Sequence, residues 1–279
     1  MFEPNCVVVL PFSEIAIKGA QVRAFIEKRL RRNIGLYFSH FGVECGDVVP
    51  YAGRMVIPSS EPEKVVSALK NCFGIHLLFL AREEKYSSLE DLCKKGAKLC
   101  EGLKEEGTFA IRGKSFSKEF GSKKLEEELG GVLLDKFPKL KVKLKSPEQE
   151  IYCLAFTDKA YFYFKPIEGS NGMPVGSQGR AGIVVSKETN EKDLGVLTKN
   201  LLKVGCSVSL VSDEESTSKL NSLEEFNCFK PFKRFFVAEA KELHKLNEIR
   251  AFFSVAKTAK SADKDSAIVG VKVFAPFLF

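Results

Sequence analysis

One strand-turn-helix segment constrains the fold of this chain more than any other part of it. A turn rich in glycine and proline leads into the short apolar run Ile183–Val185, and a helical pattern extends from about Glu191 to Val204. A second apolar run, Cys206–Val211, comes directly after the helix. A strand, a helix and another strand in this order are typical of a right-handed crossover in a parallel sheet. This part of the chain is therefore predicted to be an α/β unit, with further strands at Phe235–Ala238 and Ala267–Phe274.

The turn between the first strand and the helix carries the wrong residues for a phosphate site. Helix N-termini attract anions through their unpaired N–H groups, and glycines normally let the backbone approach the ligand. Here the turn runs from Ser186 to Glu191 without a glycine and holds two carboxylates, those of Glu188 and Glu191. The segment thus predicts the strand-turn-helix scaffold of a nucleotide site, but without the residues that would bind the phosphates.

The connector before this strand resembles a known family. The segment Gly172–Arg180 is similar to the linker that enters the PP-loop ATPase domain of tRNA 4-thiouridine synthases. In that family an SGGxDS loop follows and binds the pyrophosphate of ATP. Only Ser186 matches that loop here. Lys187 and Glu188 stand at the two glycines, Asn190 at the aspartate and Glu191 at the last serine. The resemblance implies ATP-binding positions at Ser186, Lys187 and Asn190, and the replacements predict that ATP binding is lost.

Two further stretches resemble the same family, in the correct order. Near the N-terminus, a pattern similar to GEIxLKG…R…F…L…NI is carried by Ser13–Gly19, Arg23, Phe25, Leu30 and Asn33-Ile34. In the middle, a pattern similar to a THUMP domain is carried by Phe109–Lys114, Lys118–Phe120, Gly130-Gly131, Lys141–Leu144 and Pro147. The resemblance implies tRNA binding, because THUMP domains bind tRNA in several modification enzymes.

These patterns predict a chain of mixed α/β and α+β class. Residues 1–80 read as β-α-β-β-α-β, which is the order of a ferredoxin-like domain. Residues 81–165 are assigned to the THUMP domain, 166–180 to a linker, and 181–279 to a reduced, Rossmann-like PP-loop-type domain. In the first domain a helix over Gln21–Phe38 is expected to bury one face, formed by Val22, Phe25, Ile26, Leu30, Ile34 and Phe38.

Positive charge is concentrated in the THUMP-like segment. The chain as a whole carries a net charge of +7, whereas residues 109–145 alone hold ten Lys and Arg against five acids. A compact basic face of this kind suits a phosphate backbone, although a solvated surface is the other reading. We predict RNA contacts at Arg112, Lys114, Lys118, Lys123 and Lys124. The family resemblance adds Lys18 and Arg23.

No catalytic or metal-binding residue can be named from the sequence. The eight cysteines include no C-x-x-C pair, and the three histidines match no metal or triad spacing. The roles of Cys206 and Cys228 stay open. The sequence contains neither a signal peptide nor an apolar run of the ~20 residues that a membrane helix needs. A cytoplasmic protein is therefore expected.

Three functions remain open at this stage. The favoured hypothesis is a tRNA-binding protein, related to tRNA 4-thiouridine synthases, that lacks its own ATP-dependent thiolation activity and has no cofactor. The second is an active sulfurtransferase that uses ATP despite the altered loop. The third is a protein-interaction module that does not bind RNA. Partners beyond tRNA are left open as a separate catalytic or sulfur-donor protein and a second copy of the chain.

Overall fold

The computed structural model describes residues 2–51, 53–101, 105–186, 189–212, 223–236, 247–255, 259–269 and 274. The chain folds into two compact units. The first unit comprises Met1–Leu10, Glu44–Ser67 and Leu77–Glu168, and the second comprises Pro11–Val43, Ala68–His76 and Gly169–Phe279. Each unit is therefore assembled from segments that are far apart in sequence.

The N-terminal elements follow the predicted ferredoxin-like order. They are β1 (Cys6–Pro11), α1 (Ser13–Ala16), α2 (Ala20–Phe41), β2 (Val49–Tyr51), β3 (Arg54–Pro58), α3 (Pro62–Leu69) and β4 (Ile75–Lys85). The strands take the order β2-β3-β1-β4, and β1 runs antiparallel to β3. Pro62 begins α3, where its missing N–H costs no helical hydrogen bond.

The THUMP-like elements extend the same sheet. They are α4 (Leu89–Leu99), β5 (Gly107–Ser115), α5 (Ser122–Lys136), β6 (Leu140–Val142), β7 (Gln149–Ala155), β8 (Lys159–Tyr163) and β9 (Ile167–Glu168). Strand β4 is 11 residues long, and its last part, Ala81–Lys85, pairs antiparallel with β8. The sheet therefore continues as β4-β8-β7-β5-β6, with β9 also paired to β4. Nine strands form one sheet where the sequence predicted two separate domains.

Helices α4 and α5 pack on one face of this sheet. Their apolar side chains form a buried cluster with Phe109, Ile111 and Phe162 of the strands. Gly96 of α4 allows the close approach, because a Cβ at this position would lie 2.7 Å from Cε1 of Phe162. The sequence therefore places a glycine where the helix meets the sheet.

The second unit contains the predicted parallel crossover. Its elements are β10 (Arg180–Val184), α6 (Glu191–Lys203), β11 (Ser207–Ser212), β12 (Lys233–Phe236), β13 (Ile249–Ser254) and α7 (Ala259–Val269). The four strands take the order β12-β11-β10-β13, and each neighbouring pair is parallel. This order is Rossmann-like because the chain crosses from β12 to the far side of β10.

Of the two strands predicted near the C-terminus, the one at Phe235–Ala238 overlaps β12 and the other was wrong. The described part of Ala267–Phe274 does not form the expected strand: Ala267–Val269 end helix α7, and Phe274 forms an isolated bridge with Phe253, while residues 270–273 lie outside the described residues. Strand β13, which pairs with β10, was missed. Short apolar runs fit a strand and a buried helix turn equally well, so periodicity alone does not separate them.

The predicted buried face of α2 needs a correction at its N-terminal end. Ile26, Leu30, Ile34 and Phe38 are buried as expected, together with Asn33 and Tyr37. Val22 and Phe25 are exposed instead, as is every other residue from Ala16 to Phe25. Helical periodicity shows which side chains share a face but not how far along the helix that face is covered.

The connector after β9 is a packed strap within the second unit. Its backbone N–H groups at Asn171, Met173 and Gly176 donate to the carbonyls of Ile75, Lys203 and Gly205, at 2.8, 2.8 and 2.9 Å. The buried Asn33 side chain donates to the Val175 carbonyl at 3.1 Å. The glycines of the strap permit these close contacts, because a Cβ on Gly172 would lie 2.3 Å from the Lys203 carbonyl oxygen.

Candidate nucleic-acid interface

Strand β5 directs its predicted RNA-binding residues away from helices α4 and α5. Phe109 and Ile111 point into the cluster beneath the helices. Because side chains alternate along a strand, Arg112 and Lys114 lie on the opposite face of the sheet. Lys114 is exposed, and Arg112 is partly exposed.

Arg112 is already paired within the protein. Its guanidinium donates from Nε and Nη2 to the Glu150 carboxylate at 2.9 and 2.7 Å, and Nη2 also donates to the Leu144 carbonyl at 2.9 Å. Hydrogen bonding from the Tyr152 hydroxyl and the Arg112 side chain holds the pKa of Glu150 below its usual range, against the effect of partial burial. The carboxylate is therefore ionised at neutral pH and offsets the charge of Arg112. Arg112 is a weaker candidate for a phosphate contact than its neighbours.

Lys114 lies beside an aromatic pair formed by the exposed Phe116 and the partly buried Phe156. Its ammonium is 5.4 Å from the centre of the Phe116 ring. Phe116 stacks on Phe156 with ring centres 5.3 Å apart and planes 11° apart, and the Phe116 N–H donates to the Ala155 carbonyl at 2.8 Å. The cation and the aromatic pair are thus held at the end of β5.

The loop between β5 and α5 is fixed by serine side chains. Ser115 donates to the Phe120 carbonyl at 2.7 Å, and the Ser115 N–H donates to the Ser122 hydroxyl at 3.0 Å. The exposed Lys118 lies in this loop, and the exposed Lys123 and Lys124 lie in the first turn of α5. The contact of Lys123 with Glu127 is 3.6 Å long and both side chains are exposed, so it neutralises little. The structure therefore groups four lysines around one ordered loop: Lys114, Lys118, Lys123 and Lys124.

Lys18 and Arg23 belong to the second unit and not to the unit of that lysine group. Both are exposed: Lys18 lies at the corner between α1 and α2, and Arg23 lies in the first turn of α2. Their assignment to RNA stays a prediction.

The turn after β10 is closed by its own side chains. The Ser186 N–H donates to Thr189 Oγ1 at 2.8 Å, and the Thr189 N–H donates to the Ser186 carbonyl at 3.0 Å. Asn190 caps α6, since its side-chain oxygen accepts from the N–H groups of Lys192 and Asp193 at 3.0 and 3.1 Å. Four backbone donors of this segment, the N–H groups of Ser186, Thr189, Lys192 and Asp193, are therefore already bonded within the protein. Lys187 and Glu188 lie outside the described residues.

The capping role of Asn190 is a structural feature that comparison with the family motif did not predict. In the alignment Asn190 only replaced an aspartate, whereas in the structure it begins the helix. The signal was present in the sequence, because Asn is a preferred N-cap residue and Glu191 and Asp193 place carboxylates in the first turn.

Replacing Asn190 with alanine is expected to lower the free energy of unfolding by ~1 kcal/mol, because two first-turn N–H groups lose their acceptor. Asn190→Asp, which keeps a capping oxygen, should retain most of the stability. Chemical denaturation followed by circular dichroism measures both variants. Equal loss in the two variants would contradict the capping role.

Neither a metal site nor a reactive thiol emerges from the described residues. In those parts of the chain, no three His, Cys, Asp or Glu side chains come together as a metal site requires. All eight cysteines are free. Burial raises the pKa of the Cys228 thiol to about 12 and also raises that of Cys206, so both are protonated at neutral pH. None of the described helices is both long and apolar enough to cross a membrane.

Two family models match the chain. The model of the ThiI ferredoxin-like domain matches residues 7–78, and the model of the THUMP domain matches residues 86–165. A probable tRNA sulfurtransferase of Oceanobacillus iheyensis is 32% identical over 186 residues, which cover 64% of this chain and 45% of that protein. One of Saccharolobus solfataricus is 27% identical over 254 residues, which cover 87% of this chain and 65% of that protein. The chain spans about half the length of the first of these relatives.

Solved structures with a similar fold cover almost the whole chain. PH1313 from Pyrococcus horikoshii superimposes with a TM-score of 0.76 at 22% identity, over 98% of this chain and 94% of that one. A 4-thiouridine synthetase in complex with RNA and bound ATP gives a TM-score of 0.72 at 22% identity, over 98% and 81%. At this identity the two structures establish the shared fold.

Proposed function

We propose that this chain, which belongs to the tRNA sulfurtransferase family through its ThiI-type ferredoxin-like and THUMP domains, binds tRNA and lacks ATP-dependent thiolation activity of its own. The observation that carries the second half of this proposal is the set of hydrogen bonds by which the Thr189 and Asn190 side chains accept from the N–H groups of Ser186, Lys192 and Asp193.

The support for tRNA binding is the lysine group around the β5–α5 loop. Lys114, Lys118, Lys123 and Lys124 are all exposed and lie on an ordered segment, so little reorganisation is needed to meet a phosphate backbone. We assign Arg112 a secondary part because Glu150 already binds it. Lys18 and Arg23 are proposed as additional contacts. A protein of the same fold has been solved with RNA, which agrees with this proposal.

The support for the loss of ATP binding is both geometric and electrostatic. A pyrophosphate cradle needs free backbone N–H groups, and here Asn190 and Thr189 accept hydrogen bonds from those at the start of α6 and at Ser186. Glu191 and Asp193 place negative charge in the first turn of the helix. This charge interacts favourably with the helix dipole and repels an anionic ligand. The alternative of an active sulfurtransferase requires the loop to open and both carboxylates to be neutralised.

The proposal extends to organisation and partners. We assign tRNA binding to residues 1–165, that is, to the ferredoxin-like domain (1–80) and the THUMP domain (81–165). The connector over 166–180 and the PP-loop-like domain over 181–279 take no part in nucleotide chemistry. If the bound tRNA is thiolated, a separate catalytic or sulfur-donor protein performs that step. A cytoplasmic location is part of this proposal. Whether two copies of the chain form a homodimer is a question for experiment.

Isothermal titration on one preparation tests both halves of the proposal. Titration with unmodified tRNA should give saturable binding whose affinity falls as salt is raised, because phosphate contacts release counterions. Titration with ATP should give no saturable heat up to millimolar concentration. Micromolar ATP binding, or ATP-dependent formation of 4-thiouridine by the chain alone, would overturn the loss of activity. Absence of tRNA binding at low salt would leave the protein-interaction module as the correct function.

A further inference from the structure

The corner between α1 and α2 exposes large apolar side chains to solvent. Ile17 is 79% exposed, Val22 52% and Phe25 51%. They lie within nine residues of one another, in the stretch from Ala16 to Phe25 whose members are all exposed. Apolar side chains scattered singly over a surface are ordinary, whereas a group of three marks an interaction site more often.

Val22 and Phe25 share their helix face with two arginines. Residues 22, 25, 29 and 32 are spaced by three and four positions, so they form one continuous stripe along α2. The Arg29 guanidinium lies 5.9 Å from the centre of the Phe25 ring. We call Val22, Phe25, Arg29 and Arg32 the α2 patch. Arg23 is turned by about 200° from Phe25 around the helix axis, so its proposed RNA contact involves a different face.

The surroundings of the α2 patch are strongly basic. Between Ser13 and Arg32 the chain carries six cations and two carboxylates, those of Glu14 and Glu27. Within the described part of the chain, no ion pair is formed by Arg29 or Arg32. Positive charge that is not neutralised inside the protein favours a partner surface rich in Asp and Glu.

The side chains of the patch fit a protein better than RNA or a second copy of the chain. Aliphatic Val22 offers no hydrogen bond and no flat ring, so it contributes little to phosphate or base recognition. An apolar centre with aromatic and arginine side chains is instead the composition of protein interface cores. A symmetric contact between two copies of the α2 patch would bring their arginines together and is disfavoured by like-charge repulsion.

We infer that the α2 patch is the docking surface for a second protein, which presents apolar side chains surrounded by Asp and Glu. The inference is independent of tRNA binding by the lysine group. It explains why Val22 and Phe25, placed at apolar positions of the helix pattern, stay uncovered in the folded chain.

Photo-crosslinking from the patch tests this inference on the full chain. A benzophenone amino acid replaces Phe25, and the protein is irradiated in cells of its native host. The matched control carries the same group at Val196, an exposed apolar position on α6 in the same unit. We expect a crosslink to one protein from position 25 but not from position 196. It should resist ribonuclease, and the crosslinked peptide should contain apolar residues flanked by Asp or Glu.

Charge reversal in the patch provides the second measurement. Arg32→Glu, on an exposed residue, should reduce the yield of the crosslink from position 25 at least tenfold. It should leave tRNA affinity within about twofold, so that failure of docking is distinguished from failure of RNA binding. A crosslink to RNA, a crosslink between two copies of the chain, no crosslink at all, or a yield insensitive to Arg32→Glu would each overturn the inference.

Discussion

Replacing Gly172 with alanine is expected to lower the free energy of unfolding by about 3 kcal/mol or more, which is a large effect for one methyl group. Gly172 has a φ angle of +73°, in the left-handed region that costs an alanine ~1–2 kcal/mol. The added Cβ would also lie 2.3 Å from the backbone carbonyl oxygen of Lys203. That oxygen accepts the Met173 N–H at 2.8 Å, so relieving the clash would break a hydrogen bond of the strap.

Gly35→Ala is the matched control for this prediction. Gly35 lies in the interior of α2 and is exposed, and a Cβ added there would meet no atom within 4 Å among the described residues outside its own stretch of helix. Alanine there should stabilise the protein by ~0.5–1 kcal/mol, because it restores helix propensity. Urea denaturation followed by circular dichroism measures both variants. A Gly172→Ala protein within about 1 kcal/mol of the parent would mean that the strap is not held against α6 as described.

Replacing the four lysines around the β5–α5 loop with glutamine is expected to weaken tRNA binding by about 100-fold at 0.15 M salt. Each phosphate contact contributes ~0.7–0.9 to the slope of log affinity against log salt, so four contacts should lower that slope by about 3. The substitutions are Lys114→Gln, Lys118→Gln, Lys123→Gln and Lys124→Gln. Arg112 stays unchanged, because its removal would leave the Glu150 carboxylate without its cation.

A second variant with the same change in net charge separates local contacts from general attraction. Four exposed lysines elsewhere in the first unit are replaced with glutamine: Lys64, Lys85, Lys94 and Lys98. Fluorescence titration over a range of salt concentrations gives the affinity and slope of each protein. We expect the control to lose less than fivefold in affinity. Equal losses in the two variants would show that the lysine group makes no local contacts with RNA and contributes only through the net charge of the protein.

The sequence by itself determined the strand-helix-strand crossover of β10, α6 and β11, and it predicted a helix start in place of a nucleotide loop. Apolar periodicity placed helix α6 and strand β11 within two residues of their observed bounds, and it placed the core of strand β10, because a crossover is built from local patterns. The turn from Ser186 to Asn190 could be predicted as a structural helix start, since the preference for glycine at phosphate sites and for Asn and Glu at helix starts depends only on neighbouring residues.

The tertiary structure alone decided how these elements are covered and paired. The length of β4 joins two predicted domains into one sheet, and Glu150 pairs with Arg112 across neighbouring strands 38 residues apart in sequence. Val22 and Phe25 have the spacing of a buried face and yet stay exposed. Periodicity reports the side on which a residue lies, whereas burial and charge pairing depend on which distant segments arrive there, and no local pattern contains that information.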